Sequence, residues 1–162
     1  MARTVAVVDY GMGNLRSVSQ AVMHVAQGSA FQVVVTQRPE EVLSAERVVL
    51  PGQGAVRDCM RELQDSGLKD AVLDAAARKP LMGVCVGMQM LLDHSEEQDT
   101  LGLGLIPGQV LRFRLDGQRP GQSDALAHAA RKLVRIGGCE IAQADGPEQG
   151  EGALPALRLV VT

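Results

Sequence analysis

The chain has 162 residues, the length of one globular domain, and its 46% hydrophobic and 22% charged residues exclude an intrinsically disordered or collagen-like protein. Its net charge of −3 argues against a nucleic-acid binder, which needs a surplus of Lys and Arg to neutralise phosphates. There is no apolar run long enough for a membrane span, no signal-peptide pattern and only three cysteines, so we expect a cytoplasmic protein that contacts no membrane.

Near the N-terminus the pattern predicts a strand followed by a helix. Residues 4–9 are almost continuously apolar, as in a strand that is buried on both faces. Asn14 is the predicted N-cap of a helix that continues to about Ala26. Apolar residues spaced by three and four predict the face of this helix that packs on the core: Leu15, Val18, Val22 and Val25.

Further strands and helices alternate up to about residue 93. The predicted strands are residues 32–36, 47–50 and 80–84. One predicted helix begins at Pro39, and three others cover residues 54–66, 67–78 and 86–93. Strands that alternate with helices are typical of parallel βαβ units. The predicted fold is therefore an α/β, doubly wound, mostly parallel sheet with helices on both faces.

A Gly-x-Cys-x-Gly segment lies between the predicted strand 80–84 and the short helix that follows. In such a nucleophile elbow, Gly83 and Gly87 leave room for a strained turn that exposes Cys85 at the carboxyl edge of the sheet. The N-terminus of the following helix favours the thiolate, and the N–H of Val86 can point at a developing oxyanion. The alternative is a small buried cysteine in a glycine-rich turn.

A second glycine-containing loop, Pro51-Gly52-Gln53-Gly54, ends the preceding strand and can lie beside the elbow. Its glycines allow backbone N–H groups to turn toward a substrate. Without other signals, an ordinary strand-to-helix turn explains this loop equally well.

The P-G-x-G and G-x-C-x-G-x-Q motifs, in this order and spacing, resemble those of the class I (triad) glutamine amidotransferases. The segments DYGMGNL (residues 9–15), LGLGLIPG (residues 101–108) and residues 110–113 are similar to the glutaminase subunits of imidazole glycerol phosphate synthase, which act in histidine biosynthesis. The resemblance covers residues 3 to about 116. It implies a glutamine amidotransferase domain over 1–116 and an atypical tail over 117–162.

The resemblance implies that Cys85 attacks the side-chain amide of glutamine, forms a glutamyl thioester and releases ammonia. Gly52 and Val86 match the oxyanion-hole loops, and Gln89 matches the position that contacts bound glutamine. The family passes ammonia to a (β/α)8-barrel cyclase partner, and neither a metal nor an organic cofactor is implied. Residues 9–14 are expected at the carboxyl edge of the sheet. Their role is either structural or partner-facing, or it is chemical, and the sequence leaves both alternatives open.

A cysteine nucleophile needs a general base and a group that orients it, which the family supplies as a His and a Glu near the C-terminus. This chain has no such segment. His24 is expected to be solvated, and His94 is expected at the far end of the helix that follows Cys85, about 13 Å along its axis. His128 has no Pro-Glu behind it, and Glu140 and Glu148 match no motif.

From residue 117 onward the sequence contains no Phe, Tyr or Trp, and only residues 129–136 and 156–161 suggest a short helix and a strand. Three interpretations stay open. In the first, the tail is translated out of frame. In the second, it is a divergent C-terminus on an inactive subunit. In the third, it is a new terminus that rebuilds the triad. The first two leave the C-terminal part of the sheet missing.

Four functions are compatible with parts of this pattern. The first is a glutaminase that delivers ammonia to a cyclase, and the second is an inactive, truncated relative that at most binds the cyclase. A nucleotide-binding domain is disfavoured because Arg16 stands where the third glycine of the fingerprint belongs and Thr36 ends the second strand in place of an acid. A different elbow-cysteine hydrolase needs the same missing histidine. Cys59 is expected in the core, and Cys139 lies in the tail.

Overall fold

The structure is a computed structural model that describes residues 3–112, 133–136, 139–143 and 157–161. The chain divides into two compact units, Met1–Leu91 and Leu92–Thr162. None of the described helices is long and apolar enough to cross a membrane.

The first unit is a four-stranded sheet with its connecting helices, in the strand order β2-β1-β3-β4, and every strand pair is parallel. This sheet confirms the predicted α/β fold class. In chain order the elements are β1 (Arg3–Val8), α1 (Leu15–Ala26), β2 (Phe31–Thr36), α2 (Pro39–Ser44), β3 (Arg47–Gly52), α3 (Val56–Asp65), α4 (Lys69–Arg78), β4 (Leu81–Cys85) and α5 (Val86–Gln89).

Helix α1 begins and ends where the sequence predicts. The Asn14 side chain accepts a hydrogen bond from the Ser17 N–H at 3.2 Å, which satisfies one of the free donors of the first turn. Leu15, Val18 and Val22 pack on a cluster formed by Val5, Val7 and Val49 of the sheet. The prediction for Val25 was wrong, because this side chain is 81% exposed.

The two faces of this sheet differ in their burial. Paired residues of neighbouring strands share a face and successive residues alternate. On one face, here called the closed face, four side chains of the inner strands β1 and β3 are fully buried: Ala6, Val8, Val48 and Leu50. The other face, here called the open face, carries α1. It includes the buried residues Val5, Val7 and Val49 and two exposed residues, Val35 (40%) and Met82 (52%).

The order of the strands explains this difference. The chain moves from β1 to β2 in one direction and from β2 through β3 to β4 in the other, so right-handed crossovers place α1 on one face and α2 to α4 on the opposite face. Helices α2 and α4 contact each other, and they contact β1 and β3 respectively. The open face therefore has one helix, and a groove of about 580 Å³ extends from Val22 and Val25 across Val49 to Met82.

The second unit contains a six-stranded mixed sheet in the order β6-β5-β7-β10-β9-β8. Its strands are β5 (Leu92–Ser95), β6 (Thr100–Leu101), β7 (Ile106–Arg112), β8 (Leu133–Ile136), β9 (Cys139–Gln143) and β10 (Leu157–Val161). The last of these confirms the strand predicted at residues 156–161. The helix predicted at residues 129–136 is wrong over its last four residues, which pair antiparallel with β9.

The helix predicted to continue from Cys85 to Asp93 is also wrong. Helix α5 ends at Gln89, and Leu92–Ser95 form a strand that pairs with β6 and β7. The segment from Met88 to Leu92 is almost entirely apolar, and a short buried strand and a short buried helix share that pattern. His94 is consequently a strand residue and not the C-terminal residue of a helix.

Candidate active site

Cys85 is the last residue of β4 and the N-cap of α5, and its side chain is exposed. Its backbone has φ 56° and ψ −122°, in a region that residues with a Cβ rarely occupy. Such strain costs about 1–3 kcal/mol and is found most often at functional sites. The chain therefore turns sharply at an exposed thiol, whereas the Cys59 thiol is buried.

Three glycines allow the backbone segments around Cys85 to approach closely. A Cβ on Gly87 would lie 2.0 Å from the Leu50 carbonyl oxygen, and a Cβ on Gly83 would lie 2.5 Å from the Met88 Cα. A Cβ on Gly52 would lie 2.3 Å from the Gly87 nitrogen. Because each obstacle is backbone, a side chain at any of these positions requires the turn itself to move.

Gly52 lies directly beside the elbow. It is paired with Cys85 in the ladder between β3 and β4, so the Pro51–Gln53 loop and the Cys85 turn are at the same edge of the sheet. The carboxyl edge of a parallel sheet is where α/β proteins place their sites. Gly52 and Val86 are buried, whereas Gln53 and Cys85 are exposed, which leaves the edge accessible at the thiol.

Gln89 is the last residue of α5 and is only 8% exposed. Gln89 lies one turn after the exposed thiol, at the end of the elbow helix. Helix α5 has a single turn, so the site offers the free N–H groups of that turn and not the summed dipole of a long helix.

Residues 9–14 form the loop after β1, and the contacts that the structure shows for this loop are structural. The Asp9 carboxylate accepts hydrogen bonds from the Gly11 N–H at 3.2 Å and from Gln37 Nε2 at 2.8 Å. A Cβ on Gly13 would lie 3.2 Å from the Pro51 Cβ. The loop thus packs on the segment that carries Gly52.

One residue at this edge was assigned no role from the sequence. Tyr10 is 3% exposed, and its hydroxyl donates a hydrogen bond to the Pro51 carbonyl oxygen at 2.7 Å. Burial raises the pKa of the Tyr10 phenol well above its usual range, and the neighbouring Cys59 thiol raises this pKa further. The one signal in the sequence is that this is the only Tyr in the chain and lies inside the DYGMGNL segment.

Two of the three histidines, His24 and His94, lie within the described residues. His24 is exposed near the C-terminal end of α1. His94 Nε2 is 2.8 Å from an oxygen of Asp99, within the second unit. His128 and Glu148 lie outside the described residues, and Glu140 belongs to β9.

Within the ranges that the structure describes, no group of three His, Cys, Asp or Glu side chains is arranged to hold a metal ion. The groove on the open face is lined by residues from α1, β1, β3 and β4 and does not include Cys85, Gly52 or Gln89. This groove is therefore separate from the elbow.

Two curated relatives carry the name imidazole glycerol phosphate synthase subunit HisH. The protein of Nitrosospira multiformis is 49% identical over 142 residues, which are 88% of this chain and 64% of the relative. That of Thiobacillus denitrificans is 58% identical over 113 residues, which are 70% of this chain and 49% of the relative. The chain thus spans about half to two thirds of the length of these relatives.

A solved structure, a putative peptidase E protein from Listeria monocytogenes, superimposes with a TM-score of 0.55 at 11% identity, over 88% of this chain and 82% of that chain. At this identity the likeness describes the fold alone. The family model of glutamine amidotransferase class-I matches residues 6–138, most of the chain. The chain therefore belongs to the class I glutamine amidotransferase family.

Proposed function

We propose that this chain is a glutaminase subunit that hydrolyses glutamine to glutamate and ammonia, with Cys85 as the nucleophile. The observation that carries the proposal is the conformation of Cys85, an exposed thiol at positive φ that is paired in register with Gly52. Family membership and the names of the relatives support the same reaction.

The chemistry follows from the groups at this edge. The Cys85 thiolate attacks the carbonyl carbon of the glutamine side-chain amide, and the negative charge moves to the carbonyl oxygen. N–H groups of Gly52 and Val86 stabilise that oxyanion, and Gln89 contacts the bound glutamine. When the tetrahedral species collapses, the C–N bond breaks and ammonia leaves with one added proton. Water then hydrolyses the thioester to glutamate and regenerates the thiol.

This sequence of steps requires a base that first accepts the thiol proton and later protonates the leaving ammonia. His128 is the only histidine of the chain whose position the structure does not describe. If it serves as the base, His128→Ala abolishes glutamine hydrolysis, whereas His24→Ala leaves it unchanged because His24 is exposed on α1. Equal activity in the two variants would rule out His128.

We further propose that the ammonia passes to a (β/α)8-barrel cyclase subunit that makes imidazole glycerol phosphate and an aminoimidazole carboxamide ribotide. The name shared by the relatives supports this partner. In this proposal residues 1–116 form the amidotransferase domain, and residues 117–162 form an atypical tail that contributes no recognised catalytic residue. We expect the reaction to take place in the cytoplasm.

The test is a glutaminase assay of the full chain, alone and with the cyclase subunit. Glutamate production is expected to rise when the cyclase is added and to vanish in Cys85→Ala. Residual turnover in Cys85→Ala would assign the activity to a contaminant or to another group. The absence of turnover in a soluble complex would overturn the glutaminase function.

The second candidate is a catalytically inactive relative that at most binds the cyclase. The hydrogen bond between His94 and Asp99 favours it, because this bond engages the His94 ring within the second unit, and the other described histidine, His24, is exposed on α1. This candidate predicts that iodoacetamide alkylates Cys85 and that the cyclase binds, without glutamine turnover. Hydrolysis at a Cys85-dependent rate would exclude it.

A further inference from the structure

Tyr10 joins the loop after β1 to the segment that carries Gly52. The phenol is buried, and its hydroxyl is 2.7 Å from the Pro51 carbonyl oxygen and 3.6 Å from the Met90 sulfur. The contact with oxygen is the stronger of the two, because a thioether is a weak acceptor. Since the pKa of Tyr10 is raised by burial, the hydroxyl keeps its proton and acts as a donor across the physiological pH range.

The hydrogen bond at Pro51 also determines the direction of a neighbouring donor. The Pro51 carbonyl and the Gly52 N–H belong to one planar peptide unit, in which the two groups point in opposite directions. A bond that fixes the carbonyl therefore fixes the direction of the Gly52 N–H. Glycine itself offers little resistance to rotation, because it has no Cβ.

A second side chain holds the same loop on its other side. The Cys59 thiol, on α3, donates to the Gln53 carbonyl oxygen at a sulfur–oxygen distance of 3.2 Å. Tyr10 and Cys59 thus hold the two carbonyls on either side of residue 52, one from the loop after β1 and one from α3. Thiols are weak donors, so the Tyr10 bond is expected to contribute more to this arrangement.

We propose that Tyr10 is a positioning residue that orients the Pro51–Gly52 peptide toward the oxyanion formed at Cys85. The proposal rests on the proposed function, since it requires that an oxyanion forms beside Gly52. It assigns a role to the loop after β1 beyond its packing on Pro51. Tyr10 does not touch the substrate in this proposal and acts only through the peptide that it holds.

The test compares two reactions of Cys85 that differ in their need for an oxyanion site. Glutamate γ-semialdehyde adds reversibly to the thiol, and its carbonyl oxygen then occupies the position of the oxyanion. Iodoacetamide alkylates the same thiol by displacement of iodide and needs no such site. Affinity for the aldehyde is measured as protection of Cys85 against alkylation, with Cys85→Ala as the blank.

Tyr10→Phe keeps the ring and removes the donor. The expected result is that affinity for the aldehyde falls about tenfold, the effect of one hydrogen bond, while the alkylation rate and the melting temperature stay close to wild type. The matched control is Met90→Leu, which removes the sulfur contact at nearly constant volume and is expected to bind the aldehyde normally. Replacing Tyr10 with 4-aminophenylalanine restores a donor and is expected to recover the affinity.

Unchanged affinity in Tyr10→Phe would overturn the proposal. So would a parallel fall in affinity, alkylation rate and melting temperature, because that pattern marks a residue that only stabilises the fold. The outcome is separate from the glutaminase assay. A wild-type chain that binds the aldehyde at Cys85 but does not hydrolyse glutamine overturns the proposed function and still reports on Tyr10. A wild-type chain that hydrolyses glutamine but does not bind the aldehyde overturns the Tyr10 proposal and leaves the proposed function standing.

Discussion

On the closed face of the four-stranded sheet, Val48 and Leu50 of the inner strand β3 are at most 1% exposed, whereas on the open face Val35 of β2 is 40% exposed and Met82 of β4 is 52% exposed, and β2 and β4 are the outer strands of this sheet. Val49, on the open face of β3, is only 5% exposed, so the difference between the two faces arises at the outer strands, β2 and β4. Parallel sheets normally have both faces covered. The stability of the first unit is therefore expected to depend on the closed face and on the backbone packing at its carboxyl edge, and little on the groove beside α1.

The largest loss of stability is expected at Gly87, where the backbone of the elbow packs against Leu50 of the closed face. In Gly87→Ala the new Cβ would lie 2.0 Å from the Leu50 carbonyl oxygen, and neither backbone segment can yield without moving β3 or Cys85. The free energy of unfolding is expected to fall by about 3 kcal/mol or more, and aldehyde binding at Cys85 to be lost. Urea unfolding and the alkylation-protection assay measure the two effects.

The matched control for that variant is Gly28→Ala. Gly28 has a positive φ of 75° but nothing within 4 Å of the added Cβ. It isolates the conformational cost, expected at about 1 kcal/mol, from the steric cost. If the two variants lose the same stability, the close approach of Gly87 to Leu50 is not what requires glycine there.

Much of the first unit could be predicted because its strands and helices are short and strongly periodic. The Asn14 cap is visible in the sequence as a polar residue directly before an apolar period of three and four. The end of α5 is not visible, because the apolar residues from Met88 to Leu92 suit a helix and a strand equally. The exposure of Val25 could not be predicted either, since helical periodicity shows which side of α1 is apolar but not how many strands lie beneath it.

For the candidate site, the residue types and their order were enough to predict the tight turn at Cys85 and its need for flanking glycines; the catalytic role of Cys85 stays a prediction. The role of Tyr10 was not accessible from the sequence, because it depends on a contact with a carbonyl that lies 41 positions away in the chain. Every residue carries a backbone carbonyl, so the residue types do not show which carbonyl accepts a hydrogen bond. Such contacts can be identified only from the three-dimensional structure.

The next prediction compares the loss of stability caused by the same substitution, Val→Ala, on the two faces of the sheet. Val48→Ala removes methyl groups from a fully buried position and is expected to cost about 1.5–3 kcal/mol. Val35→Ala, on the open face, is expected to change the free energy of unfolding by less than about 0.5 kcal/mol. Both are measured by urea unfolding. Equal losses would mean that the open face is covered in solution.

A dye that binds exposed apolar surface tests whether the groove on the open face is accessible to solvent. Met82 lines the groove, whereas Met23, which is 45% exposed on α1, does not. In Met82→Glu the fluorescence of bound anilinonaphthalene sulfonate is expected to fall, because the added charge lies in the apolar groove. Met23→Glu adds the same charge outside the groove and is expected to leave the fluorescence unchanged. A fall of equal size in both variants would show that the dye responds to net charge and not to this groove.

The smallest effect is expected at Val25, the apolar residue of α1 that the sheet leaves uncovered. Valine and serine have similar helix propensities, and the side chain is 81% exposed, so Val25→Ser has neither a packing nor a propensity reason to change stability. We expect a shift within about 0.5 kcal/mol in urea unfolding. Val22→Ser, one turn earlier on the same helix, removes a side chain that packs on the cluster of Val5, Val7 and Val49 and is expected to cost more. A loss above about 1 kcal/mol in Val25→Ser would show that this end of α1 is buried in solution, because only lost apolar burial explains such a cost at an exposed helical position.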